Sequence, residues 1–256
     1  MRKDEQEAQK SYNYMAELYH FHRTERFPNG WFFNEMLEMP ATLSLLGNIK
    51  RKKLLDFGCG TGIYAKILTK KGAIVKGFDI SPEMIKIAKK DNPKLDLKVG
   101  SGYKIPFSEK FDVVLASLVV DYFEDWNKVF SEVNRMLNKG GIFVFSFGNP
   151  VAECSKKIKI NGKKVPVLGI RSYFDEQTFY ALWGKEYFKE NGKKPVKVPS
   201  NHKTYETIIR VILNNGFEII GYKDCFPTSK SKRYFPEYYK SCSRIPYFSV
   251  FKVRKK

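Results

Sequence analysis

The stretch LLDFGCGTG, Leu54 to Gly62, is an apolar run that ends in an acid and passes into three glycines spaced two apart. A glycine loop between a strand and a helix presents backbone amides to a ligand. Three kinds of ligand compete for it: a nucleoside triphosphate, a dinucleotide, or a cofactor without phosphate. A triphosphate loop needs Lys and Ser/Thr after its last glycine, and here Ile63 and Tyr64 follow Gly62. The dinucleotide fingerprint G-x-G-x-x-G needs a third glycine for close helix–strand packing. Ala65 falls near that position, which weakens the dinucleotide reading without removing it.

Asp56 carries the decision. An acid two residues ahead of the first glycine repels a pyrophosphate seated on the helix N-terminus and suits an ammonium group. Asp79, in GFDIS, closes the next apolar run where an acid would reach ribose hydroxyls. A carboxylate would be received by the loop amides and the helix dipole. A ligand with an amine, a carboxylate and a ribose meets all three conditions, and S-adenosylmethionine is such a ligand.

Outward from the loop, apolar runs at 53–57, 73–80, 95–99, 111–118 and 141–147 read as buried strands. Helical segments fall between them. Ser81 and Pro82 open one as N-cap and first residue, and Trp126, Val129, Phe130, Val133 and Leu137 line the face of another. NKGG breaks the chain before the fifth run. The alternation predicts an α/β doubly wound fold. Two helices, about 4–22 and 31–47, precede it as an N-terminal cap over 1–49, and the cofactor core occupies 50–149. Residues 150–200 form an insertion with one short helix near 175–188. A helix (Tyr205, Ile208, Ile209, Ile212, Leu213), stopped at Gly216, then leads into strands within 201–256. The whole is one domain.

LLDFGCGTG, GFDIS, FDVVLASLVVDYFEDW and LNKGGIFVFSF, in this order, resemble the class I S-adenosylmethionine-dependent methyltransferases. The resemblance is to the group with the ubiquinone/menaquinone-biosynthesis enzymes and many small-molecule methyltransferases. It is strong over residues 50–150 and weak outside them. It implies a Rossmann-like seven-stranded sheet, mostly parallel with an antiparallel final hairpin, binding its cofactor at the carboxyl ends of strands one to four. Asp56, Gly58, Cys59, Gly60 and Gly62 would line the methionine half, and Asp79 would take the ribose. Ile80 and Met84 would pack near the adenine, and Ser117 and Leu118 would face the methionine portion. In place of the family's Gly-Asp-Ala after the third strand the chain has GSGYKIPF, so Ser101 replaces the acid that receives the adenine amine and Gly102 the small residue.

Methyl transfer from a sulfonium is an in-line displacement that needs positioning above all, and a base only if the acceptor loses a proton early. Candidates on the acceptor side are Asp121 and Tyr122, after the fourth strand, and His202 in NHKT, similar to the His-Arg-Thr of many relatives. Asn149 stands where close relatives tend to carry His. Tyr12, Tyr14 and Tyr19 could close over a sulfonium, and Tyr173, Phe174, Phe179 and Trp183 could wall the acceptor pocket.

Composition narrows the rest. No run approaches 18 apolar residues, so no membrane span is expected, and the N-terminus lacks the apolar core of a secretory signal. Cys59, Cys154, Cys225 and Cys242 show no CxxC pairing, so neither a metal site nor a disulfide framework is expected, and the chain reads as cytoplasmic. The net charge of +19 is uneven: residues 1–150 carry +5 and residues 151–256 carry +14. Lysines far outnumber arginines, which favours solvated loops over dedicated phosphate recognition. A small-molecule acceptor is the first expectation, implied by the family resemblance and by the aromatic-rich segment 150–200, read as a lid over the acceptor. An RNA acceptor, such as tRNA, bound through the basic C-terminal part is the alternative, and a non-catalytic cofactor-binding module is the third reading.

Overall fold

The computed structural model describes residues 1–25, 28–160, 163–170, 172–183 and 194–256, and only the backbone of 28–29, 156–160, 163–170 and 183. The chain opens with α1 (Lys3–Thr24), followed by a π-helical segment, Pro28–Glu38, that runs directly into α2 (Met39–Leu46). Next come β1 (Lys53–Phe57), α3 (Ile63–Lys70), β2 (Ile74–Asp79), α4 (Pro82–Asp91), β3 (Asp96–Val99) and β4 (Phe111–Ala116). A 3-10 turn, Val120–Tyr122, leads to α5 (Trp126–Met136), β5 (Leu137–Gly148) and the single-turn α6 (Pro150–Glu153). Two antiparallel pairs follow, β6 (Ser155–Ile160) with β7 (Lys163–Ile170) and β8 (Thr178–Trp183) with β9 (Val196–Asn201). The chain ends with α7 (Tyr205–Asn214), β10 (Phe217–Asp224), α8 (Ser229–Tyr234), α9 (Pro236–Cys242) and β11 (Phe248–Lys255).

The main sheet has seven strands in the order β10-β11-β5-β4-β1-β2-β3. β5, β4, β1, β2 and β3 run parallel, and β11 and β10 join as an antiparallel hairpin. The expected fold class is the observed one.

Successive residues of the central strands feed opposite faces, as a strand's period of two requires. Leu55, Phe57, Val114, Phe143 and Phe145 pack under α5 and α7, whereas Leu54, Val113, Leu115 and Val144 pack under the π-helical segment, α2 and α3. Both faces are covered, and that is why these strands read as continuous apolar runs. The caps are formed as the residues suggest: Ser81 Oγ accepts from the Met84 amide at 3.1 Å and Thr204 Oγ1 from the Thr207 amide at 3.2 Å.

Two local expectations are corrected. The short helix placed near 175–188 is β8 over Thr178–Trp183, and 184–188 lie outside the described residues. Thr, Phe, Tyr and Trp suit a pleated surface, and β9 supplies antiparallel partners from Thr178↔Asn201 to Trp183↔Val196. Leu137 is the first residue of β5, opposite Phe111, and α5 stops at Met136. The NKGG break is absorbed as a bulge, for the pairing jumps from Phe111↔Leu137 to Val113↔Ile142.

Candidate functional site

The five parallel strands end on one edge, and the glycine loop leaves β1 there. Gly58 has φ +70, and a Cβ on it would lie 2.5 Å from Val119 Cγ2, in the loop after β4. Gly60 has φ +52, but its missing side chain faces open space, with nothing nearer than the Tyr19 ring at 3.9 Å. The first glycine thus closes the loop onto the sheet, and the second leaves room above it. The amides of Gly58 and Cys59 both donate to the Phe78 carbonyl at 2.9 Å. Asp79 completes the cradle: its carboxylate accepts from the Gly60 and Ser81 amides, each at 2.9 Å.

Above the loop lies an open cavity, and a smaller one beside it shares Tyr19, Gly58, Gly60 and Ser117 in its lining. The smaller part is polar. Asp56 is buried there, and its Oδ2 has no hydrogen-bond partner among the described residues; Thr61 Oγ1 is in the same state. Burial, and then the negative charge of Asp79, push the Asp56 carboxyl up to about 7. Arg23 also lines this part, with its guanidinium held by Glu35 Oε1 at 2.6 and 2.8 Å and by the Tyr19 hydroxyl at 3.0 Å. An orphaned acid, an orphaned hydroxyl and a fixed guanidinium are the complement of an ammonium and a carboxylate on one carbon.

The larger part is mostly apolar. Phe57, Phe78, Ile80, Met84, Gly102, Leu118 and Phe123 wall it, with Tyr12, Tyr19 and Tyr122 at its side. Helix α1 roofs the cavity. Gln9 Nε2 donates to the Ile80 carbonyl at 2.8 Å, and Asn13 Oδ1 accepts from Ser81 Oγ at 2.6 Å. On its other side α1 is covered by β9, where Met15 and Leu18 pack with Val196 and Val198 and Ser11 Oγ donates to the Lys197 carbonyl at 2.9 Å.

Most residues singled out from the sequence come together here. Asp56, Gly58, Cys59, Gly60 and Ser117 line the smaller part; Gly58, Gly60, Asp79, Ile80, Met84, Gly102, Ser117 and Leu118 line the larger. Gly62 sits behind the loop against Ala88 and Asn92. Ser101 is not among the residues that line the cavity, and its hydroxyl donates to Glu5, which is. Cys59 has its thiol pushed well up by burial and then by Asp56 and Asp79, which leaves it no nucleophile. Tyr12 and Tyr19 line the cavity, whereas Tyr14 reaches the Lys194 carbonyl.

The acceptor-side candidates divide. Tyr122 lines the cavity, its hydroxyl against that of Tyr12 and the two rings edge to face at 5.3 Å. Asp121 stands behind it, accepting from the Gly148 amide at 2.7 Å, with its carboxyl pushed well up by burial and then by Glu153. His202 is fully buried off the cavity: Nε2 donates to the Tyr173 carbonyl at 2.9 Å and Nδ1 pairs with Glu153 Oε2 at 3.1 Å. Tyr173 and Phe179 flank its ring at 6.0 and 5.9 Å, while Phe174 is exposed and the Trp183 side chain lies outside the described residues. Asn149 caps α6, accepting from the Val151 amide at 3.0 Å.

Sequence reasoning missed Glu5, Arg23, Thr61 and Tyr64. Thr61 sits inside the loop motif and could have been read as a hydroxyl donor. The others depend on contacts between distant elements.

A glycine cradle, a buried acid without a partner on one oxygen and an acid at the end of β2 thus lie together at the carboxyl edge of the sheet. Comparison with known proteins gives the class to which such a site belongs. Residues 55–145 match the family described as methyltransferase domain. An uncharacterized protein of Haemophilus influenzae is 30% identical over 236 residues, 87% of this chain and 88% of that one. The demethylmenaquinone methyltransferase of Chlorobaculum parvum is 35% identical over 133 residues, and the match spans 51% of this chain and 55% of that enzyme. Among solved structures, an S-adenosylmethionine-dependent methyltransferase of Mesorhizobium loti aligns at TM-score 0.70 and 25% identity over 85% of this chain and 97% of that one. The chain belongs to the class I S-adenosylmethionine-dependent methyltransferases. It is an enzyme of that class, and S-adenosylmethionine is its cofactor. No helix among the described residues is long and apolar enough to cross a membrane.

Proposed function

We propose that the enzyme methylates a small organic acceptor held under α1, beside Tyr12, Tyr122 and Leu118. The observation that carries this reading is the roof: α1 covers the carboxyl ends of the strands and is itself buried against β9. An acceptor that reaches the cavity must fit beneath it. In the proposed orientation Asp56 holds the ammonium, Arg23 and Thr61 the carboxylate, and Asp79 the ribose. Ile80, Met84 and Gly102 flank the adenine. When bound, S-adenosylmethionine supplies a methyl group on a sulfonium, which moves in one displacement.

The protein's part is to bind, orient and exclude water. The tyrosine rings offer aromatic faces to a cation. Burial raises the Tyr12 and Tyr122 hydroxyls well above their ordinary range, so both stay protonated at neutral pH and donate hydrogen bonds instead of taking protons. Of the carboxylates lining the larger cavity, Asp79 is engaged by amides and Glu5 by Ser101. The site therefore suits an acceptor whose nucleophilic atom arrives ready, as an anion or a neutral amine. Asp121 and His202 act in this reading as positioning residues, the first behind Tyr122 and the second under the insertion.

The test is a cell extract incubated with the enzyme and methyl-labelled S-adenosylmethionine, with and without ribonuclease. Label in low-mass material that ribonuclease leaves unchanged is expected. Ribonuclease-sensitive label would favour an RNA acceptor bound by the basic residues of 151–256, and would overturn the small-molecule reading.

A further inference from the structure

Glu5 is a buried carboxylate in the wall of the larger cavity, among Ile80, Met84, Gly102 and Phe123, and the steps of methyl transfer make no use of it. It lies at the apolar part of the site, whereas Asp56, Thr61 and Arg23 occupy the polar part. Its setting is fixed from several sides. Oε1 accepts from the Ser101 hydroxyl, and Oε2 faces the Arg2 amide at 3.4 Å. The neighbouring Asp4 accepts from the Tyr103 hydroxyl and from the Glu124 amide at 2.9 Å, which pins the first turn of α1 onto the loops after β3 and β4. The wall beside it is tightly packed: a Cβ on Gly102 would lie 2.3 Å from Phe123 Cζ and 2.6 Å from Phe57 Cζ. An apolar, aromatic-lined wall of this kind suits a planar ring. A carboxylate on its edge is an acceptor without a donor of its own, so it selects a ring bearing an amine over one bearing a carbonyl.

We propose that Glu5 accepts a hydrogen bond from the exocyclic amine of the cofactor's adenine, so that the N-terminal helix, and not the sheet, sets the choice of base. This rests on the cofactor orientation proposed for the site. It also gives Ser101 a role, as the residue that holds Glu5 in place. The roof is then part of the cofactor site as well as a cover over it.

The test is calorimetric binding of S-adenosylhomocysteine and of its 6-oxo analogue, S-inosylhomocysteine, to the full chain and to Glu5→Gln, Glu5→Asp and Asp56→Asn. The unaltered protein is expected to prefer the adenine ligand by roughly tenfold or more, as for a hydrogen bond to a charged group. Glu5→Gln keeps the size of the side chain and an acceptor for Ser101 but adds a donor for the 6-oxo group, and should bring the preference to within about threefold. Glu5→Asp withdraws the carboxylate by one methylene and should lower the preference likewise, which keeps the test open if the first variant folds poorly. Asp56→Asn should weaken both ligands alike and leave the preference intact. Full preference in both Glu5 variants would overturn the proposal. Loss of preference in Asp56→Asn, with none in the Glu5 variants, would instead show the cofactor lying in the reverse orientation, and the two failures are distinct.

Discussion

Asp56 is the residue on which the reading of the site turns, and its chemistry makes a pH prediction. Its carboxyl titrates near 7 in the folded chain because it is buried and faces Asp79, against about 3.9 when unfolded. The unfolded chain therefore loses this proton first. Asp56 adds stability that is full below pH about 4 and is lost as pH rises through about 7. Cofactor binding runs the other way, because an ammonium favours the ionised acid. Affinity for S-adenosylhomocysteine should rise about fivefold between pH 6 and pH 7 and level off above about pH 8. Asp56→Asn should flatten the slope and lower the plateau; an unchanged slope would assign the titration elsewhere. Asp79→Ala should cost roughly tenfold or more in calorimetric affinity, since the lost carboxylate also frees the Gly60 amide. Asp121→Ala, behind Tyr122, should cost less than about threefold, and equal effects would contradict the site map. Asp56, Asp79 and the glycines were legible because their signal is local, an acid and a turn at fixed spacing. Glu5 and Arg23 were not, because nothing in MRKDEQEAQK or FHRTERF says that those side chains return to a loop dozens of residues away.

At the scale of elements, two buried junctions hold the site in shape. Glu38 ends the π-helical segment fully buried, and accepts from Thr42 of α2 at 2.6 Å, Tyr64 of α3 at 2.8 Å and Ser146 of β5 at 2.6 Å. Ser146 Oγ in turn accepts from the Leu118 amide at 2.9 Å, where Leu118 has φ +49 in the cavity wall. Glu38→Ala strands three buried hydroxyls and should cost about 3 kcal/mol or more in urea unfolding. The second junction is His202, which ties the Tyr173 carbonyl to Glu153 of α6. Burial works against its charge, but Glu153 raises its pKa above the ordinary value on balance. The stability it adds is full below about pH 6.5 and lost as pH rises through the folded value. His202→Ala should lower the thermal midpoint and flatten its pH dependence in that window while leaving S-adenosylhomocysteine affinity unchanged; lost affinity would place it in the binding site. Here the sequence was half legible. The parallel strands announced themselves as apolar runs, whereas Thr178–Trp183 carries aromatics whose spacing serves a helix or a strand, and its partner β9 decides between them.

At the scale of the whole molecule, the sheet offers its carboxyl edge, the loop after β1 supplies the polar end of a cavity, and α1 with β9 closes the top. The class of fold and the cofactor followed from four short motifs in order, because each marks a strand end on that same edge. The roof did not, since it depends on how α1 and the insertion dock. The most direct measurement is the thermal midpoint of the purified full chain with S-adenosylhomocysteine or with NAD. S-Adenosylhomocysteine at a hundred times its dissociation constant should stabilise the protein by about 2.7 kcal/mol, and NAD should leave the midpoint unmoved. Stabilisation by NAD and none by S-adenosylhomocysteine would contradict the account at its centre.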